Sequence, residues 1–133
     1  MQVEKIEIGK NLWSDDRGLG INPIESTGIE SKFIGDLHTV SIKPDKVRGN
    51  HYHTKSTEWI LLFGGKAKLF WRSIVDKVTH EILVSGLEPS LFKIPPYIEH
   101  AVINNDKHDI YLISINDSTD IGTVKSDHLI NLF

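Results

Sequence analysis

The residues best equipped for chemistry gather in one stretch, RGNHYHTKSTEWILLFGGKAKLFW, residues 48–71. His51 and His53 stand two apart, and Glu58 follows five residues later at the head of an apolar run. Alternate residues of a strand share a face, so a strand through 47–53 aims both imidazoles the same way. On one unbroken strand Glu58 would point to the other face. Thr54-Lys55-Ser56-Thr57 reads instead as a polar turn, which lets Glu58 open a new strand on the side of the histidines. Two imidazoles and a carboxylate offer three donors to a hard or borderline divalent cation, with positions left free for a ligand. The plainer reading is a polar turn between two strands. A fourth donor lies in LFKIPPYIEHAVINN, where His100 follows a proline turn and Asn104 shares its strand face.

Such donors need strands to carry them, and the chain supplies strands almost exclusively. Short β-rich runs recur at 3–8, 32–42, 47–53, 58–63, 66–74, 78–84, 91–94, 100–104 and 110–115. Turn residues separate them, as expected of a sandwich or barrel. Gly64-Gly65 between two apolar runs predicts a hairpin. SDDRGLGINPIESTGIE is turn-rich and reads as a long loop or an arm, and beyond Asn116 a short strand and a helix are both open. In the 58–63 run, Glu58, Ile60 and Leu62 share one face and Trp59, Leu61 and Phe63 the other. A Trp-Leu-Phe row is costly to leave wet, so either the N-terminal strands or a second subunit must cover it. The expectation is a homodimer.

A chain of 133 residues suits one domain and can bury roughly 65–70% of its unfolded surface. Fifteen Lys and Arg against eighteen Asp and Glu leave a net charge of −3, without the basic stripe that a nucleic acid or membrane surface requires. There is no cysteine, hence neither disulfide nor thiolate ligand. The charged start MQVEKIEIGK is unlike a signal peptide, no apolar run is long enough to span a membrane, and a cytoplasmic protein is expected.

The spacing His51-x-His53, Glu58, Gly65 resembles the first motif of the cupin superfamily, and Pro95, His100 and Asn104 resemble the second. Two positions depart from the pattern. Asp45 and Tyr97 stand where the motifs usually have glycine. The resemblance implies an all-β jelly-roll barrel of two antiparallel sheets. It places one cupin domain over 1–133, with the motif core at 45–104 and an N-terminal arm or strands in 1–44. It also implies His51, His53, Glu58 and His100 as ligands of one divalent ion. Three neutral imidazoles and a carboxylate leave such an ion net positive, and Zn, Mn, Fe, Ni and Co all tolerate the set.

DDRG, GDLHTVSIKPDKVRGNHYH and IPPYIEHAV are further similar to segments of nucleotide-sugar epimerases and isomerases, a resemblance that covers most of residues 15–116. Arg48-Gly49-Asn50-His51-Tyr52 resembles the dTDP-4-dehydrorhamnose epimerases, in which that histidine is a metal-free general base and glutamine replaces His53. Arg-Gly-x-His-x-His resembles the cupin domain of bifunctional capsular-polysaccharide enzymes, which binds metal and epimerises a keto-sugar nucleotide. The resemblance implies a nucleotide-sugar substrate. Stabilising an enolate acidifies the proton beside a ketone, while a base and an acid move that proton. His51 is then either a ligand or the base, and if a ligand, another base is needed.

Tyr97 is the nearest candidate acid, with Glu99 or Tyr111 behind it, unless its ring only packs on the proline turn. Arg48 can meet a diphosphate or pair with Asp45 or Asp36. Tyr111 and Asn104 are further candidates for substrate contact. His38, His80, His108 and His128 converge on nothing and read as solvated surface. A non-enzymatic sugar-binding cupin and a metal-dependent oxygenase are the competing functions.

Overall fold

The computed structural model describes residues 2–126. Twelve strands form: β1 Glu4–Ile6, β2 Leu12–Asp15, β3 Gly18–Ile21, β4 Asp36–Ile42, β5 Val47–His53, β6 Glu58–Phe63, β7 Ala67–Ser73, β8 Thr79–Val84, β9 Ser90–Ile94, β10 Ile98–Asn104, β11 Ile110–Asn116 and β12 Thr123–Lys125. They build two five-stranded antiparallel sheets, ordered β1-β9-β6-β11-β4 and β12-β5-β10-β7-β8, beside the separate hairpin β2-β3. The facing sides enclose a core of Ile42, Ile60, Leu62, Leu69, Phe92, Ile94, Val102 and Ile110, each at most 2% exposed. Burying a side chain of this kind contributes roughly 1.5–3 kcal/mol.

The other face of β6 is covered by the chain itself. Trp59 and Leu61 pack with Ile8, Leu91 and Ile115, against which Ile6, Ile21, Ile24, Ile29 and Ile34 lie. These isoleucines come from the N-terminal segment. The N-terminal segment, the alternative to a second subunit, thus covers Trp59 and Leu61 and leaves Phe63 half-buried. The segment expected as a loop or arm holds the β2-β3 hairpin and a five-residue helix, α1 Pro23–Thr27. Asn22 caps that helix, Pro23 opens it, and Gly28 at φ 75° closes it. One turn and a half is too short to show helical periodicity.

Gly64-Gly65 is not a hairpin. β6 lies in one sheet and β7 in the other, so the two glycines turn a corner between sheets. A Cβ on Gly65 would sit 2.8 Å from Ile110 Cγ2, which is why the corner is bare. The run expected from residue 32 becomes a strand only at Asp36, because Ser31–Phe33 forms a 3-10 turn. The open question beyond Asn116 resolves as β12, which pairs Thr123 with His53 at the edge of the second sheet.

Candidate metal centre

Neighbouring strands of one sheet supply three imidazoles. β5 turns His51 and His53 into the barrel, and β10 sets His100 directly opposite His51. The register slips between His100 and Ala101, where β5 carries Gly49 at φ 108° and Asn50 at φ 56°. A Cβ on Gly49 would stand 2.6 Å from the His100 carbonyl, so glycine is required for that close approach. The carboxylate comes from the facing sheet, where the 54–57 turn, tied down by Thr54 N to Gly122 O at 3.0 Å, delivers Glu58. The four ligand atoms lie within 4.8 Å of one another. Donors about 2.1 Å from a common ion stand at most about 4.2 Å apart, so the cluster closes by a few tenths of an ångström to hold one.

The surrounding polar groups orient the donors. His100 Nδ1 donates to the Ile98 carbonyl at 3.0 Å, which leaves Nε2 as the lone-pair nitrogen of the neutral ring. That Nε2 is buried 2.9 Å from Glu58 Oε1 without an aligned hydrogen bond. Two acceptors facing each other at that distance call for a cation between them, a proton or a metal ion. His53 presents Nε2 to the same oxygen at 3.1 Å, and its Nδ1 meets Thr123 Oγ1 at 3.1 Å. Ser114 Oγ donates to the other Glu58 oxygen. Partners of this kind fix ligand orientation and raise metal affinity.

Charge follows the same geometry. Burial, then the His100 and His53 rings, push His51 down to about 4 against the pull of Glu58, so its ring is neutral and available as a donor near pH 7. Burial works to raise the Glu58 carboxyl, but the adjoining His100 and His53 rings outweigh it and hold it well below the usual carboxylate range. Burial works to lower His100, and the Glu58 carboxylate reverses this and leaves it raised.

A cavity of about 400 Å³ opens over the cluster, walled by Val40, Ile60, Val102 and Leu112 with Arg48 and His38 among its polar groups. That volume suits a small ligand. Arg48 is exposed, donates Nε to the Ser41 carbonyl at 2.9 Å, and forms no ion pair among the described residues, with neither Asp45 nor Asp36.

Three expected site residues are not brought to this cavity wall. Tyr97 is 46% exposed with its ring 6.1 Å from Tyr52. Tyr111 stacks on Phe63 at 5.7 Å, on the opposite face of β11 from Leu112 and Ser114. Asn104 is fully buried and clamps backbone, giving Nδ2 to the Ile42 and His108 carbonyls at 2.8 Å each. Glu99 faces away, paired to Arg72 at 2.6 Å.

Sequence reasoning missed Ser114, Thr123 and His38. The alternation Leu112, Ser114, Asn116 carried a signal for Ser114, whereas nothing local announced Thr123. His38 is exposed, as expected of a surface histidine, and it also lines the cavity. His80 stacks on Trp71 and His108 lies by Asp106, both apart from the cluster, while His128 lies outside the described residues.

Two facing antiparallel sheets with three histidines and a glutamate turned inward define a cupin. The profile of the polysaccharide biosynthesis C-terminal domain family matches residues 14–121, and the chain belongs to that family. It is 24% identical over 102 residues to the UDP-2-acetamido-2,6-beta-L-arabino-hexul-4-ose reductase of Pseudomonas aeruginosa, covering 77% of this chain and 26% of the relative. It superimposes on the capsular polysaccharide assembling protein CapF of Staphylococcus aureus with TM-score 0.63 at 25% identity, over 69% of this chain and 26% of that one. A dTDP sugar isomerase of Desulfovibrio desulfuricans shares the fold over 96% of this chain and 85% of its own, with TM-score 0.79 at 11% identity. The chain thus spans about a quarter of the length of the first two. Among the described residues no helix is long and apolar enough to cross a membrane.

Proposed function

We propose that this chain is a metal-dependent epimerase or isomerase of a keto-sugar nucleotide in polysaccharide biosynthesis. The observation that carries this reading is the cluster of His51, His53, Glu58 and His100 beneath a cavity of sugar size, with Arg48, in no ion pair among the described residues, on its wall. The family and the nucleotide-sugar enzymes it resembles support the substrate class.

The four residues fit a divalent ion by donor chemistry and by the orphaned His100 Nε2. Bound there, an ion such as Zn, Mn, Fe, Ni or Co supplies positive charge that favours an enolate over a ketone. The chain's own groups do the rest. Arg48 receives a diphosphate with its planar fork and draws the sugar over the cluster. Ser114 and Thr123 hold Glu58 and His53 in place. The aliphatic wall excludes water from the carbon that loses its proton.

Elemental analysis of purified protein, with His53→Ala and His100→Ala alongside, tests the site. About one ion per chain, lost in both variants, is expected. No ion after loading overturns the metal reading and returns His51 to the role of free base. Deuterium uptake into a keto-sugar nucleotide in heavy water tests the activity. Binding without exchange favours a sugar-binding protein, and oxygen uptake favours an oxygenase.

A further inference from the structure

If His51 serves as a ligand, the reaction needs another base, and the cavity holds one. We propose that His38, oriented by Asp36, is the proton-transferring base of this site. The assignment rests on the reading of the site as an epimerase or isomerase.

The strand geometry aims His38 inward. β4 is the edge strand of the first sheet, and Asp36, His38, Val40 and Ile42 alternate onto one face of it. Ile42 lies in the core at 1% exposure, and Val40 and His38 both line the cavity. The His38 side chain keeps 49% of its surface open, so a ligand can reach it.

The ring is fixed in a useful tautomer. Asp36 Oδ2 lies 2.6 Å from His38 Nδ1 and can only accept from it when ionised. Nε2 is thereby left with its lone pair. Asp36 is itself anchored, since the buried Asn116 Nδ2 donates to Asp36 Oδ2 at 3.4 Å and to Ser114 Oγ at 3.0 Å. Ser114 in turn donates to Glu58. In the β11-β4 ladder, Asn116 stands opposite Asp36 and Ser114 opposite His38. One polar chain therefore runs from the cluster carboxylate to the His38-Asp36 pair and holds both in a common frame.

Elimination leads to the same residue. Among the described residues the other titratable groups on the wall are Arg48, His51, Glu58 and His100. Arginine does not give up its proton, and the remaining three form the cluster. Tyr97 and Tyr111 do not line the cavity.

The step is a proton transfer without net redox change. His38 Nε2 takes the proton from the carbon next to the ketone. The C–H pair becomes the new C=C bond, and the carbonyl pair moves onto oxygen as the enolate. For an isomerisation the imidazolium then protonates the former carbonyl carbon while the hydroxyl on the deprotonated carbon passes its proton to the other oxygen, so the ketone moves by one carbon and the ring returns to neutral.

The test follows exchange of carbon-bound hydrogen in heavy water, by mass spectrometry, with dTDP-4-keto-6-deoxyglucose and a UDP-linked 4-keto sugar as probes. His38→Ala, His38→Gln and Asp36→Asn are compared with the unaltered chain, each assayed for metal content and thermal unfolding. Loss of a general base lowers kcat by about 10²–10⁴-fold. The expected result is such a loss in both His38 variants, with KM and metal content held and partial recovery of His38→Ala by added imidazole. Asp36→Asn is expected to lose less. Exchange in the unaltered chain that persists in folded His38→Ala overturns the base assignment and leaves the proposed function standing. No exchange in the unaltered, metal-loaded chain with either probe overturns the function and the assignment together.

Discussion

Ser114 Oγ donates to Glu58 Oε2 across the β6-β11 pair, and this hydroxyl supports a carboxylate that reaches the histidines of the facing sheet. Ser114 is 0% exposed, so no water replaces it. Ser114→Ala leaves a buried carboxylate oxygen short of a donor, at a cost of about 1–3 kcal/mol. It also frees Glu58 to rotate, and loss of such a support lowers metal affinity about 10–100-fold. Chelator competition and denaturant unfolding read both effects. Unchanged metal affinity in Ser114→Ala would remove Glu58 from the ligand set or Ser114 from its support.

Asn104 separates a structural role from a functional one. Its amide joins the end of β4 to the β10-β11 turn, and its Oδ1 accepts from Asp106 N at 2.7 Å. Asn104→Ala strands buried carbonyls and is expected to destabilise the fold by about 2–3 kcal/mol. Metal content and activity per folded molecule should not change. A stable Asn104→Ala protein with a raised KM would restore the substrate contact expected from its spacing to His100.

What the sequence made legible was periodicity, and what it hid was sheet membership. Alternation along 47–53 and 58–63 put His51, His53 and Glu58 on usable faces, and the structure has them there. Asn104 shares the His100 face as expected, yet lies at the far end of the strand, where it closes a turn. Gly64-Gly65 looked like a hairpin because adjacency in sequence is the only pairing visible before folding. His38 looked solitary because Asn116 and Ser114, which tie it to the cluster, lie about eighty residues away. What covers Trp59 and Leu61 was hidden because isoleucines scattered through 6–34 do not announce that they fold back together.

The two departures from the cupin motifs have one physical meaning. Asp45 and Tyr97 both adopt φ 64°, the left-handed conformation for which the motifs keep glycine. The backbone turn is thus retained under strain. At Tyr97 it sets N–H on the His53 carbonyl at 2.8 Å and so ties β5 to the start of β10. A bulky residue in this region costs about 1–2 kcal/mol. Tyr97→Gly is expected to keep the metal and gain up to about 1 kcal/mol after the entropy of glycine is counted. Tyr97→Phe should keep full activity, because the phenol does not line the cavity. A hundredfold drop in Tyr97→Phe would reinstate the phenol as the acid.

The metal-free chain should be most stable slightly acid of neutrality, and the sign follows from three groups. His100 is raised above its ordinary 6.5, so its contribution is complete below that pH and fades as pH rises through the folded value. His51 is lowered to about 4, so the unfolded chain takes up a proton first and stability falls as pH drops from 6.5 towards 4. Glu58 is held well below 4.5, which adds a further loss at still lower pH. The expected curve of unfolding midpoint against pH is a dome with its top near 6.5. His51→Asn removes the decline between about 6.5 and 4, because no ring is left there to charge. Loading the metal lifts the alkaline side, where deprotonated His100 finds the ion in place of its proton. A metal-free protein whose stability rises steadily from pH 6.5 down to 4 would contradict the burial of His51 among its two neighbouring imidazoles.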